Sequence, residues 1–454
     1  MAEGFPDNRL PAHGTDADAV LARMGELRAD DRDWKGGRVF SLVYSAGDAV
    51  HDLLQRASNL YSAENALNTM VFPSLGWMQH DIVTITAGLL GADRMAETGD
   101  PAADGESVGS NVRGYLTSGG TESLLQATKT ARDWGRGQAR PVEHPNMVLA
   151  TSAHAAFEKA AHYFDVESRR IPVGTDFRAD PDAMAGAVDD NTVMVVGSAP
   201  SYPQGVIDPI PALAGLAAER GILCHVDACL GGFILPFLEQ LGHVTKPWDL
   251  SVPGVTSISA DLHKYGYASK GVSVVLYSSR DLARLQPFIT TNWLGGLYGS
   301  PSMAGTRPAG PIAAGWAVLQ FLGNDGYLRL AGDTWRAAAT IREAIDRAPG
   351  LAVRGDPDAT VFAFGGSGPF EGATDGTAPV LSSGIDTFAL GDYLADRGGW
   401  YFDRQSPPDS LHATVHAGHA AVADELAADI TAVAAELAQS GETASSRDTT
   451  YGTT

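Results

Sequence analysis

Apolar residues recur at helical spacing over residues 122–134, 155–164 and 210–220, and between them lie short apolar runs of strand length at 147–151, 192–197, 222–226 and 272–277. From about residue 74 to residue 291 the two patterns alternate, which predicts a mostly parallel sheet wrapped by helices. Upstream, residues 17–64 read as helices interrupted by a glycine-rich stretch, with Ala49, Leu53, Leu54 and Ala57 on one face of the second helix. Downstream of a Gly/Pro-rich passage at 295–311, a long helical pattern over 312–347 leads into strand-like runs at 351–353, 360–364 and 411–415 and a last helix over 420–437. The chain therefore reads as an α/β protein in four parts. These are an N-terminal arm over 1–60, a large domain over 61–310, a smaller C-terminal α+β domain over 311–439, and a Ser/Thr/Gly-rich tail over 440–454 that is expected to be disordered.

With 454 residues, 44% of them hydrophobic, the chain can bury a large core. Its 54 acidic and 32 basic side chains give a formal charge of −22, which favours solubility and argues against sequence-independent attraction to nucleic acid or an anionic membrane. The start shows no basic segment followed by an apolar run, and no stretch reaches the ~18 uninterrupted apolar residues of a spanning helix, so a cytoplasmic protein without a membrane anchor is expected. Cys224 and Cys229 lie close together around Asp227 and indicate no disulfide framework. Both read as reduced packing residues, with a reactive role for Cys229 as the alternative.

The most informative stretch is Ser-Ala-Asp-Leu-His-Lys, Ser259 to Lys264, which follows an apparent buried strand and leads into Tyr-Gly-Tyr. Lys264 has the small and aromatic neighbours Ala260, His263, Tyr265, Gly266 and Tyr267. It reads as the site of a Schiff base with an aldehyde cofactor more readily than as a surface lysine. That chemistry requires the amine to shed its proton, which burial and nearby positive charge favour. Upstream, in His-Val-Asp-Ala-Cys-Leu-Gly-Gly, an apolar strand ends on Asp227, where open α/β sheets place ligand groups. Asp227 could cap a helix or join an ion pair. Set ~4 Å from a protonated pyridine nitrogen, it would contribute roughly 4 kcal/mol of gross Coulomb energy at an effective dielectric of about 20 and keep the ring electron-poor. Pyridoxal phosphate needs both an imine-forming lysine and a carboxylate facing its ring nitrogen.

Thr-Ser-Gly-Gly-Thr-Glu-Ser, Thr117 to Ser123, immediately precedes an apolar-periodic helix, so backbone N–H groups at Gly119 and Gly120 and nearby hydroxyls can cradle a phosphate. The same geometry serves a helix cap made by Ser118 or Thr121. His154, just past the run at 147–151, could stack on a pyridine ring, cap a helix or face solvent. Phosphate loop, histidine, acid and lysine follow one another in the chain, each in a loop after a strand or before a helix. One site at the carboxyl edge of a sheet requires that placement.

Together these motifs resemble those of fold-type I pyridoxal-phosphate enzymes of the group II decarboxylase superfamily, and most closely the sphingosine-1-phosphate lyase family. The matching stretches are 117–123, 153–163 (Ala-His-Ala-Ala-Phe-Glu-Lys-Ala-Ala-His-Tyr), 203–209, 225–233, 257–277 and 295–310, with a looser echo at 406–412. The resemblance implies a fold-type I architecture, pyridoxal 5'-phosphate as cofactor, a small-molecule amine as substrate and a homodimer with composite active sites. By position it implies that Lys264 forms the Schiff base, Asp227 pairs with the ring nitrogen and His154 stacks on the ring. Gly119, Gly120, Thr121 and His263 would help to hold the cofactor phosphate, and Gly305 and Thr306, in Ala-Gly-Thr-Arg-Pro, would reach a phosphate across the dimer interface.

The resemblance also implies that Tyr44 and Lys270 grip a phosphate on the substrate. The third member of that grip is the histidine of an Asn-Pro-Leu-His motif, which here reads Asn65-Ala66-Leu67-Asn68, so Asn68 offers a neutral amide where the family has an ionisable donor. The family's Asp-Trp-Gln-Gly-Gly is altered as well, to Asn292-Trp293-Leu294-Gly295-Gly296. The implied reaction is retro-aldol cleavage of a β-hydroxy amine, and Asn68 keeps amino-acid decarboxylation open as the alternative. Intact Lys264, Asp227 and His154 disfavour a catalytically silent scaffold.

His412, His416 and His419 are spaced like metal ligands, but no acidic or thiolate partner lies near them in sequence. They read as core or rim histidines, and no metal is expected. Gly366-Ser367-Gly368-Pro369-Phe370-Glu371-Gly372 imitates a dinucleotide fingerprint, yet Pro369 and the lack of an apolar helix after it make it a loop.

Overall fold

The structure is a computed structural model that describes residues 10–95, 111–367 and 384–449. Seven strands form the main sheet: β1 (Arg113–Thr117), β2 (Asn146–Ala150), β3 (Glu167–Ile171), β4 (Thr192–Ser198), β5 (Leu223–Asp227), β6 (Ser257–Ala260) and β7 (Ser273–Tyr277). Their order is β1-β7-β6-β5-β4-β2-β3. The five strands from β6 to β3 pair in parallel, and β7 alone is reversed, antiparallel to both β6 and β1. Consequently β1, β2, β4, β5 and β6 all end at the same edge of the sheet.

Strands β2, β4, β5, β6 and β7 are buried at every residue, because both faces of the sheet are covered. Alternate residues of β2 divide between two cores. Met147 and Leu149 pack with Leu124, Ala131 and Phe157, while Val148 and Ala150 pack with Ile210, Leu213 and Ala214. Helices Gly120–Arg136 and Ile210–Arg220 thus cover opposite faces, as the alternating pattern of the sequence requires.

A short ribbon, β8 (Phe288–Thr290) and β9 (Tyr298–Ser300), precedes the long helix Ala309–Arg347. That helix was anticipated as one element, yet Gly323 breaks it at φ 56°, a left-handed conformation that glycine adopts at little cost. Leu319 and Leu322 before the break and Tyr327 and Leu330 after it are all buried, so the apolar pattern reads straight through. The C-terminal sheet holds β10 (Leu351–Val353), β11 (Val361–Gly366), β12 (Asp403–Gln405) and β13 (Ser410–Thr414), all antiparallel in the order β10-β11-β13-β12. With helices Thr387–Gly398 and Ala423–Ser440 it encloses a core around Phe362, Phe364, Phe388 and Leu411.

Three expectations need adjustment. Helix Asp48–Leu60 buries Val50 and packs Leu54 against the main core while Ala49 is exposed, so its inward face is rotated from the one anticipated. Residues 441–449, expected to be disordered, carry no helix or strand, but Arg447 ties them to Asp386 and Asp409 at 2.9 and 2.8 Å. Of the glycine-rich stretch from Gly366, that residue ends β11, and residues 368–372 lie outside the described residues, as do 1–9 and 450–454. Among the described residues no helix is long and apolar enough to cross a membrane.

Candidate active site

A cavity of about 300 Å³ opens at the sheet edge where the like-directed strands end, at the small end of the range for ligand sites. Its walls come from Ser118 to Glu122 after β1, His154 after β2, Pro200 and Tyr202 after β4, Asp227 at the end of β5, and Asp261, His263 and Lys264 after β6. The topology thus brings together every residue anticipated for the cofactor within one chain: Lys264, Asp227, His154, Gly119, Gly120, Thr121 and His263.

The loop after β1 is held by the carboxylate of Glu122, a role that its place in the Thr117 to Ser123 motif does not announce. Its Oε2 accepts from the Ser118 N–H at 2.7 Å and the Ser118 hydroxyl at 2.6 Å, and its Oε1 accepts from the Met303 N–H at 2.6 Å. Helix Gly120–Arg136 begins without a side-chain cap, so the cap by Ser118 or Thr121 is not formed and the first N–H groups stay available to an anion. Close approach is built in at Gly120, where a Cβ would stand 2.7 Å from Asp261 Oδ2 and 2.9 Å from Cys229 Sγ.

His154 Nδ1 accepts from the Ala156 N–H at 3.0 Å, which places the ring proton on Nε2. Burial, partly offset by Asp227, holds its pKa below the ordinary histidine value, so the ring is a neutral flat surface on the cavity wall. Its edge meets Tyr202, with ring centroids 6.5 Å apart at 88°. Tyr202 in turn donates to Asp403 Oδ2 at 2.9 Å and stacks on His412 at 3.9 Å, which joins the cavity to the C-terminal sheet.

Lys264 Nζ forms an ion pair with Asp261 Oδ2 at 2.9 Å. Burial acts to raise the Asp261 pKa, but Lys264, His263 and a hydroxyl bond from Ser273 outweigh it and hold the carboxyl below its usual range. His263 is brought down to about 4 by burial, and its buried Nδ1 has no hydrogen-bond partner among the described residues. An unmatched ring nitrogen beside uncapped helix N–H groups suits a phosphate, and a lysine and a carboxylate in the same small cavity suit the aldehyde and ring nitrogen of pyridoxal phosphate. Cys229, the candidate reactive thiol, is buried and its pKa is raised well above the ordinary value, first by burial and then by Asp227 and Asp261, so it is an inert packing residue.

Tyr44 and Lys270 come together in a second cavity of about 530 Å³, with Val50, His51, Leu54 and Tyr267 among its walls. Lys270 Nζ stands 4.9 Å over the Tyr44 ring and donates to the His263 carbonyl at 2.9 Å, so this cavity backs onto the Lys264 loop. Asn68 is not part of it. That side chain is exposed and its Oδ1 accepts from the Met70 N–H at 3.0 Å. Gly305 and Thr306 also lie outside the Lys264 cavity of their own chain, where Thr306 Oγ1 accepts from Asn65 at 3.2 Å. The three spaced histidines are packing groups: His416 Nδ1 accepts from the Gly418 N–H, His419 Nδ1 from the His416 N–H, and His412 pairs with Thr414.

A mostly parallel sheet with lysine, carboxylate and flat imidazole converging at its carboxyl edge defines a pyridoxal 5'-phosphate-dependent enzyme of fold-type I. In agreement, the pyridoxal-dependent decarboxylase conserved domain matches residues 32–364. The sphingosine-1-phosphate lyase of Oryza sativa is 39% identical over 93% of this chain and 73% of its own length, and that of Saccharomyces cerevisiae is 34% identical over 93% and 67%. The solved sphingosine-1-phosphate lyase of Burkholderia pseudomallei superposes with a TM-score of 0.87 at 36% identity, covering 97% of this chain and 95% of that one. Glutamate decarboxylase of Lactobacillus brevis shares the fold, with a TM-score of 0.78 at 20% identity over 96% of each chain. The chain belongs to the sphingosine-1-phosphate lyase family within the pyridoxal-dependent decarboxylases. Its cofactor is pyridoxal 5'-phosphate and its reaction class is carbon–carbon lyase.

Proposed function

We propose that the enzyme cleaves a phosphorylated β-hydroxy amine, such as sphingosine 1-phosphate, by a retro-aldol reaction that yields an aldehyde and an ethanolamine-type amine. The observation that carries this reading is the Tyr44–Lys270 pair directly behind the Lys264 loop, in a chain whose relatives in rice, rat and yeast are sphingosine-1-phosphate lyases.

In this reading Lys264 anchors the cofactor, Asp227 faces its ring nitrogen, His154 lies flat against the ring, and Gly119, Gly120, Thr121 and His263 hold its phosphate. Bound there, pyridoxal phosphate supplies an electron-poor ring that takes up the electron pair released at the substrate's Cα. The chain's own task is orientation, because only the bond held perpendicular to the ring shares its electrons with the π system. When that bond is Cα–Cβ, the β-hydroxyl gives up its proton as its C–O becomes the aldehyde carbonyl, and a proton returned to Cα completes the amine. Lys270 and the Tyr44 hydroxyl hold the substrate phosphate and so fix which bond stands upright.

The reading includes a homodimer. The β8–β9 ribbon exposes Trp293, Leu294 and Leu297, and Tyr298 of the same ribbon lies against Gly305. A second copy covering this apolar ribbon would receive Gly305 and Thr306 at its own cofactor phosphate. It also includes a cytoplasmic location, supported by two free buried cysteines, and the division into arm, large domain and small domain at about residues 60 and 310, supported for the small domain by a second core around Phe362, Phe388 and Leu411, while the main core takes in Val50 and Ile312 to Ala331 across both boundaries.

The decisive experiment offers purified enzyme a phosphorylated long-chain β-hydroxy amine and, separately, a panel of amino acids. Aldehyde without carbon dioxide is expected. Carbon dioxide from an amino acid, with no aldehyde from the amine, would establish the decarboxylase alternative that the neutral Asn68 favours.

A further inference from the structure

Asp227 is held by more than its strand. Among the described residues, both hydrogen bonds to its carboxylate fall on one oxygen: Oδ1 accepts from the Cys229 N–H at 3.1 Å and from the Ser259 hydroxyl at 3.3 Å. Oδ2 is thereby the oxygen left for a ligand in the cavity. Ser259 is the register partner of Asp227 across the β5–β6 pair, and it lies 3.4 Å from Nε2 of His225, whose Nδ1 lies 2.9 Å from the Ser257 hydroxyl. His225 and Ser259 are 0% exposed.

One arrangement of protons serves this chain of contacts. An ionised carboxylate only accepts, so the single Ser259 hydroxyl proton goes to Asp227. Ser259 Oγ, which also accepts from the Cys229 thiol at 3.2 Å, is then the acceptor toward His225, an assignment that puts the imidazole proton on Nε2 and leaves Nδ1 to accept from the Ser257 hydroxyl. Burial supports a neutral ring, because it brings His225 down to about 4 against the opposing pull of Asp227. A neutral ring matters here, since an imidazolium would compete with the cofactor for the same carboxylate.

We infer that His225 and Ser259 are positioning residues: a one-way hydrogen-bond relay from Ser257 through them pins Asp227 Oδ1 and presents Oδ2 to the cofactor's ring nitrogen. The relay rests on the proposed role of Asp227, and it extends that role to two side chains that never touch substrate or cofactor. A hydrogen bond to an ionised group is worth enough that losing it weakens cofactor binding about ten- to a hundredfold.

The test compares holoenzymes of Ser259→Ala, His225→Phe, His225→Gln and Asp227→Asn, each checked by near-ultraviolet circular dichroism. Two quantities are read: the dissociation constant of pyridoxal 5'-phosphate, and the pH midpoint of the bound cofactor's visible absorption. Ser259→Ala and His225→Phe are expected to weaken the cofactor about tenfold or more and to move the midpoint, while His225→Gln, whose amide N–H replaces the Nε2 donor, stays within about threefold of the parent. A purely structural role would lower thermal stability without that split between glutamine and phenylalanine. Should Ser259→Ala not fold, the two His225 variants decide the matter. Parental affinity and midpoint in Ser259→Ala and His225→Phe, alongside loss in Asp227→Asn, would overturn the relay and leave the role of Asp227 standing. Parental behaviour in Asp227→Asn would overturn the role itself.

Discussion

Lys264 Nζ stands 2.9 Å from Asp261 Oδ2, so the proposed cofactor lysine is paired with a carboxylate whose side chain is 1% exposed. The amine must leave this pair to attack a carbonyl. Asp261 thus stores the lysine in place within the cavity. A hydrogen bond from the Ser273 hydroxyl to Oδ1 keeps the carboxylate itself in position.

The pair predicts non-additive stability. Lys264→Ala leaves a buried carboxylate without its cation, and cofactor-free protein should lose about 1 to 3 kcal/mol. Lys264→Ala combined with Asp261→Asn should regain part of that loss. Urea unfolding of the parent, both single variants and the double variant yields the coupling directly, and strictly additive losses would show that the pair contributes nothing. Lys264→Ala should also develop no visible absorption band with pyridoxal phosphate and lose more than about a thousandfold in turnover.

A second prediction concerns pH. Burial first, and Lys264 second, bring Lys270 down to about 8, although the residue keeps an exposed surface. The ammonium is therefore present below that value and lost above it. Affinity for a phosphorylated amine should fall as pH rises through about 8, whereas an unphosphorylated analogue should bind alike on both sides. Lys270→Gln should raise KM for the phosphorylated substrate about ten- to a hundredfold and leave cofactor affinity within about twofold. Equal loss of both affinities, or a parental KM that ignores pH across that value, would remove Lys270 from the phosphate grip.

These groups differ in how far the sequence announces them. Lys264, Asp227 and His154 stand in compact local motifs, and β2, β4 and β7 are unbroken buried runs, so both could be read directly. Strand β3, Glu-Ser-Arg-Arg-Ile, has no apolar period because it is the edge strand, and its Arg169 and Arg170 spend their charge on Asp189 and Glu158. Asp261 was in view within the lysine hexad, three positions before Lys264, a spacing that sets both side chains on one side of a turn. Ser259 and His225 carry no such signal. They meet Asp227 only because β5 and β6 are neighbours in a particular register, which depends on the whole sheet. The Tyr202–His412 stack likewise needs the C-terminal sheet packed beside the loop after β4.

A third prediction tests the cradle. A methyl group at Gly120 would press within 2.7 Å of Asp261 Oδ2 and 2.9 Å of Cys229 Sγ, both on buried side chains that hydrogen-bond to Ser273 and Ser259 respectively. Gly120→Ala should therefore shift the start of the helix, weaken pyridoxal phosphate by about tenfold or more and destabilise the protein by about 1 to 3 kcal/mol. Equilibrium dialysis with the cofactor and thermal unfolding measure the two effects. Unchanged cofactor affinity would show that the phosphate is held elsewhere.

The last prediction separates a composite site from a self-contained one. Gly305 and Thr306 are surface residues of the segment after β9 and contribute nothing to the Lys264 cavity of their own chain. If they serve the partner's cofactor phosphate, Gly305→Asp should inactivate the enzyme by setting a carboxylate against that phosphate, although the altered residue does not line the Lys264 cavity of its own chain. Mixing Gly305→Asp with Lys264→Ala and allowing subunits to exchange then creates hybrids in which one site carries both lesions and the other carries neither. Random pairing would restore roughly a quarter of the parental activity, because half the dimers are hybrids and each has one intact site. Were each site built from a single chain, both sites of every hybrid would carry one lesion, and the mixture would stay as inactive as its components.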